Sequence, residues 1–163
     1  MIIDRDGSIV NSFWFQGIGP EYIDMTFQWA HEADPDALLF YKDFGVAGAK
    51  ADGIYELVSR LLRRGVPIHG VNTRIHVLLD ITDVENLLDA TAYNLKRLSD
   101  LGLQANITEF EVPIRLPVTD DELLAQAGIC GDILQLCLCA PSCEVFEMWG
   151  FTDRYSWADI LPG

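Results

Sequence analysis

The chain has 163 residues, with 11 Lys and Arg against 25 Asp and Glu for a formal net charge of −14, and half of it is apolar, the makeup of one folded domain. So acidic a chain has few cations to displace counterions from a phosphate backbone, which excludes nucleic acid as a partner held by electrostatics. Uninterrupted apolar stretches run only a few residues, and Asp4, Arg5 and Asp6 interrupt the start, so neither a membrane span nor a signal peptide is expected.

In chain order, helical spacing first covers about Tyr22 to Ala33, and a β-rich run follows from Ala37 to Asp43. Ile54, Leu57, Val58, Leu61 and Leu62 then recur at i, i+3, i+4, i+7 and i+8, an amphipathic helix ended by Gly65. His69 to Leu78 is the second strand. The next helix opens with Thr82-Asp-Val-Glu85, a capping box in which a hydroxyl and a carboxylate satisfy free backbone N–H groups, and Val84, Leu87, Leu88, Leu95 and Leu98 form its apolar stripe. Ala105 to Val112 is the third strand. Thr119-Asp-Asp-Glu122 is a second capping box, before a stripe of Leu123, Ala127, Cys130, Leu134 and Cys137, and Glu144 to Phe151 is the fourth strand. Most of these strands are apolar enough to be covered on both faces, and their alternation with helices predicts a parallel α/β sheet.

Asp43, His76 and Glu109 stand at or near the C-terminal ends of successive strands, at equal intervals of 33 residues. In a β/α barrel those ends converge on one mouth, so equal phase would bring the three side chains together. The same interval suits ankyrin repeats, but the Thr-Pro-Leu-His signature is absent and the units are unlike one another. Four strands make about half of an eight-stranded barrel, which typically needs about 250 residues. A half-barrel or an open sheet leaves strand edges and an apolar face uncovered, so self-association is expected.

Cys130, Cys137, Cys139 and Cys143 fall within one short segment, too clustered for a distributed disulfide scaffold and without the paired C-x₂-C spacing of common zinc sites. His31 and His69 have no chelating partner at helical or hairpin spacing and read as surface or structural residues. No metal and no cofactor are expected. Gly17-Ile-Gly19 lacks the preceding strand and third glycine of a phosphate-binding turn. Phe13, Trp14 and Phe15 are of a type that binds sugars but read as packing residues.

Six stretches carry a further signal: Ile18-Gly-Pro-Glu-Tyr-Ile23, Ala30-His-Glu-Ala-Asp-Pro-Asp-Ala37, Gly48-Ala-Lys-Ala-Asp52, Arg64-Gly-Val-Pro-Ile68, Ile107-Thr-Glu-Phe-Glu-Val112 and Trp149-Gly-Phe-Thr-Asp-Arg-Tyr-Ser-Trp157. Through them the chain resembles glycoside hydrolase family 10, the endo-1,4-β-xylanases, over practically its whole length. The resemblance implies an α/β fold, a partial β/α barrel in which residues 1–163 are the C-terminal half, from the loop after strand 4 through strand 8. It implies xylan or xylo-oligosaccharide as partner, a retaining mechanism and a secreted protein. Glu109 falls on the family's nucleophile, His76 on a histidine that supports it, and Trp149 and Trp157 on aromatics lining the sugar subsites.

A retaining glycosidase needs a second carboxyl roughly 5 to 5.5 Å from the nucleophile to protonate the leaving oxygen. By the resemblance that glutamate falls at or before Met1, and Glu21 and Glu32 sit on an outer helix and do not replace it. A missing N-terminal half-barrel is therefore expected to complete the site. Cys137 and Cys143 match a pair that many members close as a disulfide, leaving Cys130 in the core and Cys139 as a free thiol. Lys42 and Arg74 depart from the asparagine and glutamine usual in the family. Either cation near Glu109 would depress its pKa and occupy space meant for a sugar hydroxyl. That favours an alternative, a non-catalytic xylan-binding or interaction module derived from the fold.

Overall fold

Apolar runs alternating with amphipathic segments give, in the computed structural model, four parallel strands in the order β1-β2-β3-β4 with helices between them. Residues 1–77, 84–150 and 152 are described. The strands are β1 (Phe40–Phe44), β2 (Gly70–His76), β3 (Gln104–Glu111) and β4 (Phe146–Met148), shorter than or slightly offset from the expected runs. Leu78, Thr82 and Phe151, which end or begin expected elements, lie outside the described residues. The arrangement matches half of a β/α barrel.

The helices are α1 (Phe13–Ile18), α2 (Glu21–Ala33), α3 (Gly48–Arg63), α4 (Val84–Asp100) and α5 (Asp120–Cys139). In α3, Ile54, Leu57, Val58 and Leu61 are buried as their spacing requires, and the chain leaves the helix through Gly65 at φ 69°. The helix begins six residues earlier than its apolar stripe. At Gly53 the N-terminal loop crosses it so closely that a Cβ there would strike the carbonyl of Gly7. In α4 the stripe likewise packs inward, with Leu95 and Leu98 buried and Val84, Leu87 and Leu88 half-buried.

Two local expectations are corrected. The capping box of α5 forms, with the Glu122 carboxylate accepting from the Thr119 backbone N–H and the Thr119 hydroxyl accepting from Glu122 N–H, but the buried face is Ile129, Ile133 and Cys137, while Leu123 and Leu134 are exposed. This helix is apolar nearly all round, so period alone does not select a face. Length and composition would let it cross a membrane. However, Asp132 interrupts it and its buried face joins the core beside the sheet, so it belongs to the outer layer of the fold. The unexpected α1 is a short helix of six residues capped by the Ser12 hydroxyl, and its Phe13 and Trp14 are exposed rather than packed in the core.

The sheet separates two environments. Tyr41, Val71, Ile75, Ile107 and Phe110 are buried in a core shared with the helices. On the opposite face Lys42 lies across from Asn72, Asn72 from Asn106, Phe44 from Arg74 and His76 from Glu111, as the two-residue alternation of a strand requires.

Candidate active site

Because successive side chains of a strand point to opposite faces, Lys42 and Asp43 are neighbours in sequence with separate surroundings. Asp43 turns toward α3. Its carboxylate lies 3.0 Å from the Lys50 ammonium and accepts the Tyr41 hydroxyl at 2.5 Å. Burial pushes the Asp43 carboxyl up, but the Tyr41 hydroxyl, the Phe44 N–H and Lys50 together outweigh it, so its pKa falls below the ordinary value. Asp43 therefore does not join His76 and Glu109 at the mouth, and the equal intervals do not mean equal phase.

On the other face, Lys42 Nζ donates to Glu109 Oε1 at 2.5 Å and Arg74 Nη1 stands 3.6 Å from Oε2. Each oxygen of one carboxylate thus has a cation. The Arg74 guanidinium lies 5.1 Å from the centre of the Phe44 ring, whose other cation neighbour is Lys50 at 4.0 Å. The hydrogen bond from Lys42 is the main reason that the Glu109 pKa is lowered; burial opposes it, and the charges of Lys42 and Arg74 reinforce it, as does that of His76 once protonated. Glu109 is ionised at neutral pH.

The backbone at Glu109 is unusual. Its φ is 61°, the sole positive value at a non-glycine among the described residues. It coincides with a shift of register, in which Thr73 pairs with Ile107 but Ile75 pairs with Phe110. The extra residue in β3 re-aims the side chains that follow, as β-bulges do. In consequence the register partner of His76 is Glu111, and His76 Nδ1 lies 3.5 Å from Glu111 Oε2. Burial is the main cause of a lowered His76 pKa; Glu111 opposes it, Arg74 adds to it and Glu109 opposes it. The imidazole is neutral at pH 7.

The expected site residues stand as follows. Glu109, His76 and the two departing cations Lys42 and Arg74 come together on one face. Trp149 lies just past β4 with its side chain exposed, and its backbone N–H donates to the Phe110 carbonyl at 3.1 Å, beside the strand end that carries Glu109. Trp157 lies outside the described residues. Sequence reasoning missed Glu111 and Phe44. The alternation in Ile107-Thr-Glu-Phe-Glu-Val112 was the available signal for Glu111, whereas nothing local marked Phe44 as a platform for Arg74.

Below the charged groups, Asn106 donates to the Asn72 side-chain oxygen at 3.2 Å, and its own side-chain oxygen accepts the N–H groups of Glu144 and Val145. These bonds fix where β4 starts. Cys137 and Cys143 form a disulfide from α5 to the approach to β4, while Cys130 is a half-buried free thiol and Cys139 an exposed one. His69 Nδ1 accepts the Leu39 N–H at 2.8 Å, a structural role. Among the described residues no three His, Cys, Asp or Glu side chains are grouped to hold a metal.

The family described as Glycosyl hydrolase family 10 matches residues 1–161. Endo-1,4-beta-xylanase B of Thermotoga neapolitana is 36% identical over 164 residues, covering 99% of this chain and 45% of the relative. Xylanase 10B from Thermotoga petrophila RKU-1, solved in complex with xylobiose, superposes with a TM-score of 0.88 at 38% identity, covering 96% of this chain and 47% of that one. TsXylA, an intracellular xylanase from Thermoanaerobacterium saccharolyticum JW/SL-YS485, superposes at 0.86 and 32% identity, with 96% of this chain and 48% of that one covered. The chain spans about half the length of these three relatives.

Proposed function

The chain belongs to glycosyl hydrolase family 10, and from that premise we propose that it carries the nucleophile-bearing half of a retaining endo-1,4-β-xylanase site. A Glu109 oxygen attacks the anomeric carbon of a xylosyl unit, forming a glycosyl ester as the glycosidic C–O bond breaks, and water later hydrolyses that ester. His76, neutral and set against Glu111 Oε2, supports Glu109 by its position rather than by charge. Trp149 and Trp157 offer flat rings to the apolar faces of the sugars. The acid/base carboxyl that protonates the leaving oxygen is assigned to strands outside these four.

The observation that carries the reading is the backbone of Glu109. A non-glycine held at φ 61° inside a register shift costs about 1–3 kcal/mol, and residues held this way cluster at functional sites. The test is intact-mass spectrometry of the folded chain after incubation with a 2-fluoro-xylobioside bearing a dinitrophenolate leaving group, which departs without an acid catalyst. The expected result is a glycosyl adduct on the wild type and none on Glu109→Gln. An adduct on both, or none on the wild type, would sink the assignment.

A second reading has its own support. Both Glu109 oxygens are engaged by cations, which favours a module that binds xylan without cleaving it. The Cys137–Cys143 bond supports an exported protein, since such bonds persist in oxidising compartments. Leu124, Leu138, Met148 and Trp149, all exposed, support self-association of this chain in isolation, which sizing at micromolar concentration tests.

A further inference from the structure

The two cations beside Glu109 outnumber it. Lys42 and Arg74 carry two positive charges against its one negative charge, in a chain whose net charge is −14. Among the described residues, Glu111 is the other acid at this level, and it is buried and set against His76. The Lys42 and Arg74 side chains are 46% and 40% exposed, while that of Glu109 is 17% exposed, so the cations form the outer surface of the group. Arg74 is also held by the Phe44 ring, and its planar fork suits bidentate bonding to a carboxylate.

We propose that Lys42 and Arg74 form a carboxylate-binding pair, and that the saccharide taken on this face carries a uronate group. The proposal rests on the saccharide reading above and names the substrate class. A neutral xylosyl ring that reached Glu109 would have to displace Lys42 without offering it another anion, a loss of a charge-assisted hydrogen bond with no return. A uronate carboxylate replaces Glu109 as the partner of Lys42. It fills the free donors of Arg74 at the same time and leaves a Glu109 oxygen unencumbered. Binding of the acidic sugar and release of the carboxylate are thus one exchange of ion pairs.

The uronate has two sources, a branch on a xylan chain or a unit of a polyuronide backbone, and calorimetry on the full chain distinguishes them with three probes: xylotetraose, xylotetraose with one glucuronosyl branch, and a linear galacturonate trimer. The acidic probes are expected to bind about tenfold tighter than xylotetraose, the scale of one charge-assisted bond, and the tighter of the two identifies the source. The preference should disappear in the double variant Lys42→Asn, Arg74→Gln and persist in Lys42→Arg. It should also shrink in the wild type between about 50 and about 500 mM NaCl, which tests the charge mechanism without relying on a variant that folds. Equal affinity for neutral and acidic probes, or a preference that survives loss of both cations or high salt, overturns the uronate proposal and leaves the xylan reading intact. No binding of any probe by the folded chain overturns both.

Discussion

Two lysine–carboxylate pairs meet at β1, one residue apart in sequence and on opposite faces of the sheet. Asp43 and Lys50 face the helices at 3.0 Å with side chains 1% and 6% exposed, whereas Lys42 and Glu109 face away at 2.5 Å with side chains 46% and 17% exposed. The shorter contact belongs to the more exposed pair, which is expected to contribute less to stability. Distance does not rank ion pairs; the desolvation that would be left uncompensated on breaking one does. The buried pair ties β1 to α3, and Lys50 also donates to the Ile3 carbonyl, so it holds the N-terminal loop as well. Lys42, by contrast, holds only Glu109 among the described residues and is half exposed, as the proposed exchange for a ligand carboxylate requires.

Breaking the buried pair should have the largest effect. Lys50→Met strands the Asp43 carboxylate and is expected to destabilise the chain by about 3–5 kcal/mol, read from urea unfolding. A loss below about 1 kcal/mol would mean that the Tyr41 hydroxyl and the Phe44 N–H satisfy Asp43 without Lys50, and the contrast would collapse. Lys42→Asn should change stability by no more than about 1 kcal/mol. It removes the hydrogen bond that chiefly lowers the Glu109 pKa, so the carboxyl should titrate closer to its ordinary range by carbon NMR, and trapping of the fluoro-sugar should become faster. Destabilisation as large as that of Lys50→Met would show that the exposed pair is structural after all.

Salt sharpens the contrast without mutation. Near 1 M salt the screening length is about 3 Å, so the Glu109 titration of the wild type should approach that of Lys42→Asn. Asp43, shielded from the ions, should titrate as it did at low salt. Movement of both carboxyls by the same amount would indicate that solvent reaches Asp43.

The sequence made the alternation of strands and helices legible because each strand is a short β-rich run and α3 and α4 carry amphipathic stripes. It placed Glu109 at a strand end and located the start of α5 through Thr119, whose cap is chemistry local to four residues. It misled where local pattern was silent. The intervals joining Asp43, His76 and Glu109 are equal, yet Asp43 points into the core and His76 pairs with Glu111. A register shift at Glu109 separates the count of residues from the direction of side chains, and a bulge leaves no mark in composition. The buried face of α5 was obscured for the opposite reason, since Leu123, Ile129, Ile133 and Leu134 are chemically alike and only packing chooses among them. Lys42 and Arg74 were visible as departures, but their convergence on the two oxygens of one carboxylate is a property of three strands brought side by side.

The smallest effect expected is a two-step dependence of stability on pH. His76 has a folded pKa below its ordinary 6.5, so as pH falls through that value the unfolded chain binds a proton first and stability declines until the folded imidazole titrates. Asp43 and Glu109 also have lowered folded pKa values. Their contribution is fully present above the ordinary carboxylate range and is lost as pH falls through the folded values. Both steps therefore run the same way, a shallow loss beginning below about pH 6.5 and a steeper one below about pH 4. Urea midpoints measured across this range should show both, and His76→Gln should remove only the upper step. A rise in stability between about pH 7 and about pH 6 would reverse the sign for His76: the folded imidazole would then be the better proton acceptor, and its contact with Glu111 would be a charged pair holding β2 to β3.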